Sequence, residues 1–103
     1  LRHSSAASDV YKRQVLQLTR AMAEAWSRFG ITANALAPGF FPTELTAPHF
    51  ADKATAQKLA DCTAMGRNGV LEDMRGPLLF LASDASSYVT GQSIAVDGGF
   101  TAK

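Results

Sequence analysis

Asn34-Ala35-Leu36-Ala37-Pro38-Gly39-Phe40-Phe41-Pro42-Thr43 decides how this chain folds. From Ile31 to Ala37 there is no charge, and only Thr32 and Asn34 are polar. Such a run reads as a short strand buried on both faces, which predicts a parallel sheet. Ala33, Ala35 and Ala37 leave room for helices to pack closely over it. Pro38-Gly39 then turns the chain sharply out of the sheet, and Thr43 follows with a hydroxyl. In open α/β sheets, ligands bind in the crevice beyond the carboxyl ends of the strands. A glycine there permits close backbone approach, and the exit exposes N–H donors.

Upstream, Val15, Leu18, Met22, Ala25, Trp26 and Phe29 recur at helical spacing and make one apolar face. Gly30 reads as a left-handed C-cap. Helix, turn and buried strand form the second half of a βαβ unit. Downstream, residues 40–64 read as an excursion from the sheet, with Pro42 and Pro48 as breakers and a helix over Ala51–Ala64. Residues 65–69 make a turn. Glu72 and Asp73 stand where a helix dipole favours acids. Leu78 to Ala82 predict a largely buried helix, with Gly76-Pro77 as a source of strain or bending. Thr90-Gly91-Gln92 turns the chain into a last strand, Ser93–Val96, closed by Asp97-Gly98-Gly99.

Composition narrows the function classes. With 103 residues and 47% hydrophobic content, the chain has the makeup of one small globular domain. A net charge of +1 with no basic block gives nucleic acid nothing to hold. No apolar run approaches the ~20 residues of a membrane helix. The lone cysteine, Cys62, permits no internal disulfide, so a reducing, cytoplasmic setting is expected. Nothing near Cys62 activates it, and it reads as an inert helix residue. His3 and His49 are too isolated for a metal site, so no metal is expected. Arg67 reads as a loop anchor or ion-pair partner, Asp97 as a turn residue, and Tyr88 as a packing residue.

In order along the chain, Leu18-Thr19-Arg20-Ala21-Met22-Ala23, Asn34 to Gly39, Gly66-Arg67, Leu79 to Asp84, Thr90-Gly91-Gln92 and Val96-Asp97-Gly98-Gly99 resemble the short-chain dehydrogenases/reductases. The resemblance runs from about Val15 to Lys103 and matches the last third of such enzymes. It implies an α/β fold, the incomplete C-terminal part of a doubly wound Rossmann-type parallel sheet. It also implies NAD or NADP, a small-molecule substrate, and hydride transfer between a secondary alcohol and a ketone. By the family pattern, Pro38, Gly39, Phe41 and Thr43 hold the nicotinamide end of the cofactor, Phe41 through its backbone. Packing is the competing reading for Phe40 and Phe41, and helix capping for Thr43. A sugar acid, as in gluconate dehydrogenases, or a 3-oxoacyl thioester fits as substrate. Residues 40–64 correspond to the substrate lid, and the intact enzyme is expected to form dimers or tetramers.

The departures are as informative. The family's glycine-rich phosphate loop is not among these residues. Its Tyr-x-x-x-Lys pair, in which tyrosine is the general acid/base, maps to Ser8 and Lys12. Lys12 is therefore the one candidate catalytic residue. A serine hydroxyl is too weak an acid for the tyrosine's task, and Tyr11 points a different way from its neighbour on a helix. Residues 1–14 are expected to be a non-native or unrelated head, similar to adapter read-through, with the dehydrogenase portion over 15–103. Alone, these residues should be inactive. A non-catalytic α/β oligomerisation module, built on the helix from Val15 to Phe29, is the alternative from another class.

Overall fold

The computed structural model describes the backbone of residues 2–103 and the side chains of residues 9–103. The first helix, α1, spans Arg2–Trp26 and tightens into a 3-10 turn at Ser27–Phe29. Gly30 ends it at φ +77°, donating to the Ser27 carbonyl, the left-handed cap its position predicts. Residues 9–14 are helical and continuous with the rest of α1. The Ser8 and His3 side chains lie outside the described residues.

Strand β1 covers Ala35–Pro38 and β2 covers Ser93–Val96. They pair in parallel with Ala35 opposite Ser93 and Pro38 opposite Val96. β1 is shorter than the expected Ile31–Ala37. The reason lies in the partner segment. Ala33 N–H donates to Thr90 Oγ1 (3.0 Å), Asn34 Nδ2 to the Val89 carbonyl (3.0 Å), and Gly91 N–H to the Ala33 carbonyl (2.7 Å). Gln92 N–H donates to Asn34 Oδ1 (3.1 Å). Side chains of Thr90 and Asn34 thus do the pairing before the ladder starts. Within the ladder the N–H groups of Ala35 and Gly39 point at β2. Pro38 falls in the alternate register, where its missing N–H costs no bond to β2.

Burial of β1 on both faces does not hold. Ala35, Leu36 and Ala37 are half-buried, because the described sheet has two strands. α1 packs against β1, and Thr19 and Ala23 are its buried residues; Gly91 approaches Ala23 closely, and a Cβ there would lie 3.3 Å from Ala23 Cβ. The wider apolar face of α1, with Val15, Leu18, Trp26 and Phe29, looks outward and is exposed.

The excursion after β1 holds two short helices, α2 (Ala47–Ala51) and α3 (Lys53–Asp61), instead of one over Ala51–Ala64. Asp52 divides them. Its carboxylate accepts from Ala54 N–H (3.3 Å) and Thr55 Oγ1 (2.6 Å), a cap for α3. These bonds, the Thr55 hydroxyl first, hold the Asp52 carboxyl below its ordinary pKa. Pro48 does not break structure. It sits in the first turn of α2, where no N–H is needed.

α4 spans Glu72–Ala82, runs on through Gly76 and Pro77, and packs on both strands. The expectation that it is largely buried fails: Leu78 and Leu79 are each 56% exposed. Two strands cover only one side of a helix whose apolar residues continue around it. Tyr88, expected to pack, is fully exposed.

Candidate functional site

The parallel register brings the carboxyl ends of β1 and β2 to one edge, with Gly39 beside Asp97. Gly39 N–H donates to the Val96 carbonyl at 2.9 Å. A Cβ on Gly39 would stand 2.7 Å from Asp97 Cβ and 2.8 Å from its Cα. The neighbouring strand therefore accounts for the glycine by close approach. Asp97 turns the chain: its carboxylate accepts from Gly99 N–H (3.0 Å), Thr101 N–H (3.1 Å) and Thr101 Oγ1 (2.8 Å). The Thr101 hydroxyl, followed by these backbone donors, keeps the carboxyl below its ordinary pKa.

Beyond this edge lies a cleft of about 380 Å³, lined by Phe40, Phe41, Arg67, Asp73, Val96 and Gly99 among others. Its charges are spoken for. Arg67 grips Asp73 through two nitrogens, at 2.9 and 3.1 Å. Asp73 also accepts from Val70 N–H at 2.8 Å, closing the first turn of α4. Arg67, and after it Val70 N–H, lowers the Asp73 carboxyl to a pKa of about 2. This is the anchor role expected for Arg67. It also supplies the helix start that Leu71, exposed and without a capping side chain, does not.

Of the residues singled out in the sequence, Pro38, Gly39 and Phe41 come together at the β1 exit, with Thr43 two residues further. Phe41 alone of the four lines the cleft. Its ring is buried and packs against Gly69, where a Cβ would lie 2.6 Å from the ring's Cζ. Its carbonyl accepts from Thr46 Oγ1 at 2.7 Å, while its N–H has no acceptor among the described residues. Thr43 is exposed. Its hydroxyl lies 3.0 Å from Thr46 Oγ1 and accepts from Thr46 N–H at 3.3 Å, shaping the turn before α2. At this exit the Phe41 N–H, without an acceptor among the described residues, and the exposed Thr43 side chain remain available to a further partner, whereas Gly39 N–H is committed to Val96. Lys12 is exposed on α1, two turns before Thr19, and does not line the cleft. Among the described residues no group of three His, Cys, Asp or Glu could hold a metal ion. Among them, too, no helix is long and apolar enough to cross a membrane.

Sequence reasoning missed Thr63, Asn68 and Gly69. Buried Thr63 is a hub: its hydroxyl donates to the Ala60 carbonyl (2.8 Å) and accepts from Gly66 N–H (2.9 Å) and Arg67 N–H (3.2 Å). Its spacing three residues before Gly66 was the available signal. Asn68 Nδ2 donates to the Ala56 carbonyl (2.8 Å) and ties the loop to α3. Gly69 N–H donates to the Phe40 carbonyl at 2.8 Å, joining the turn at 65–69 to the start of the excursion.

Comparison with known proteins gives this geometry a context. A family described as enoyl-(acyl carrier protein) reductase matches residues 2–101. The 2-dehydro-3-deoxy-D-gluconate 5-dehydrogenase of Dickeya dadantii is 42% identical over 92 residues, 89% of this chain and 36% of that protein. A gluconate 5-dehydrogenase from Burkholderia cenocepacia, solved with NADP and tartrate, superposes with a TM-score of 0.82 at 45% identity; 86% of this chain and 35% of that one are covered. A 4-hydroxyisoleucine dehydrogenase complexed with NADH gives a TM-score of 0.87 at 31% identity, over 95% and 40% of the two chains. This chain thus spans little more than a third of the length of these proteins.

Proposed function

Because the chain belongs to the short-chain dehydrogenase/reductase family, we propose that it contributes the nicotinamide-side wall of an NAD(P)-dependent oxidoreductase. The reaction interconverts a secondary alcohol and a ketone. The observation that carries this reading is the paired strand exit, Pro38-Gly39 against Val96-Asp97, with a backbone donor at Phe41 just beyond it that has no acceptor among the described residues. When bound, the cofactor supplies or accepts the hydride. The chain's own residues position it: Phe41 N–H and the Thr43 hydroxyl hold the carboxamide, and Pro38 fixes the direction in which the backbone leaves the sheet. The buried Phe41 ring keeps this exit rigid by packing on Gly69.

Residues 40–64 form the substrate lid of this reading. A sugar acid is the favoured substrate class, since the relatives described above include two gluconate-type dehydrogenases. The 3-oxoacyl class is the second reading, supported by the description of the matching family. Residues 1–14 are assigned no role in the chemistry, although residues 9–14 continue α1 and the family match begins at residue 2; Lys12 stands at the family's lysine position without its tyrosine partner. Without a Tyr-x-x-x-Lys pair or a glycine-rich phosphate loop among them, residues 1–103 alone turn over no substrate. The outward apolar face of α1, with Val15, Leu18, Trp26 and Phe29, pairs copies of the parent as a dimer or tetramer. The parent works in the cytoplasm.

A hybrid enzyme tests the reading. Residues 15–103 replace the corresponding share of the Burkholderia gluconate 5-dehydrogenase, and NADP-linked oxidation of gluconate is followed. Turnover is the expected outcome. A folded hybrid that binds no nicotinamide cofactor would overturn the proposal.

A further inference from the structure

We infer that the C-terminal segment 97–103 is a latch that sets the opening of the 40–64 excursion, with Gly99, Phe100 and Lys103 as positioning residues. The inference deepens the lid reading and rests on it. Four contacts converge. Met65 N–H donates to the Gly98 carbonyl at 2.9 Å, at the point where the excursion rejoins the body. Lys103 Nζ donates to the Asp61 carbonyl at 2.7 Å, placing a cation on the negative end of α3. Gly99, at φ +87°, leaves no room for a side chain: a Cβ would stand 2.6 Å from Ala64 Cβ. The Phe100 ring meets Phe40 edge-on, centroids 5.0 Å apart, at the excursion's other end.

One turn therefore holds both ends of the excursion. The same turn touches the β1 exit, because Asp97 packs against Gly39. The tip of the excursion around Leu45 has no such tie among the described residues: Leu45 is 90% exposed, and Thr43 and Thr46 bond each other, while Asn68 holds α3 at Ala56. A segment clamped at its ends and free at its tip pivots on the clamp. How far the tip swings is then set by how tightly residues 97–103 hold Asp61, Ala64 and Phe40, with Asn68 and Gly69 as the further ties at Ala56 and Phe40.

Amide hydrogen exchange on the chain itself tests this. Lys103→Ala removes one tie at an exposed position and should speed exchange in residues 53–65 by about threefold or more, leaving β1 unchanged. Gly99→Ala should do the same, both by pushing on Ala64 and by straining a side chain at φ +87°. Unchanged exchange over 53–65 in both single variants would overturn the latch. So would an equal rise across β1 and the excursion in Lys103→Ala. In the hybrid enzyme, Lys103→Ala should raise KM for the sugar acid while kcat and cofactor KM stay put. An inactive hybrid would count against the enzyme reading, while the exchange data would still decide the latch.

Discussion

Gly39→Ala probes the contact on which the candidate site is built. The added Cβ would lie 2.7 Å from Asp97 Cβ and 2.8 Å from Asp97 Cα. Unstrained carbon pairs sit about 3.5–4.0 Å apart, so the overlap is close to ~1 Å. Neither neighbour is the end of a flexible side chain, so the strand ends themselves must part. That stretches the 2.9 Å bond from Gly39 N–H to Val96 and disturbs the Asp97 turn. Overpacking of this kind costs about 1–3 kcal/mol. At 1.4 kcal/mol per factor of ten, exchange of the amide at position 39 should rise by about 5- to 150-fold. The urea midpoint should fall with it. Gly76→Ala is the control, because a Cβ added there would meet nothing within 4 Å and the position lies inside α4. That change should stabilise by about 0.4–1 kcal/mol. If Gly39→Ala melts at the parent's urea concentration with unchanged exchange, strand packing does not explain this glycine.

The Arg67–Asp73 pair predicts an acid transition. Asp73 titrates near 2, below the ordinary carboxylate value of 3.8, so its contribution is complete above 3.8 and is lost as pH falls through about 2. An NMR titration of the Val70 amide should follow that loss, and Asp73→Asn should abolish it. Phe41→Ala should destabilise by about 3–5 kcal/mol in thermal unfolding, as expected for a buried aromatic. Gly69→Ala should be destabilising in the parent but nearly neutral in a Phe41→Leu background, where the ring that blocks it is gone.

The parallel pair and its exit were legible because local signals agreed. An uncharged apolar run, a Pro-Gly stop and a Gly30 cap all pointed to the same helix–strand unit. Asp97 and Arg67 were also legible, since turn and anchor chemistry depends on near neighbours. What escaped depends on distant partners. The start of β1 is set by Thr90 and Asn34 side chains more than fifty residues apart, which no periodicity reports. The burial of α4 failed for a related reason: apolar content shows that a helix can be covered, not what covers it. Likewise the Gly69–Phe41 contact joins two turns that read as unrelated in the sequence. The break between α2 and α3 was within reach, because Asp52 is a favoured N-cap residue for the helix that follows it.

The Pro38–Thr43 exit as the nicotinamide-side wall is tested most directly by the affinity of the hybrid enzyme for reduced cofactor, read by fluorescence. Thr43→Val removes the hydroxyl and should weaken binding by about 2- to 13-fold, the worth of one hydrogen bond of about 0.5–1.5 kcal/mol, while Thr43→Ser should retain it. If the valine variant binds as tightly as the parent hybrid, this wall does not hold the cofactor.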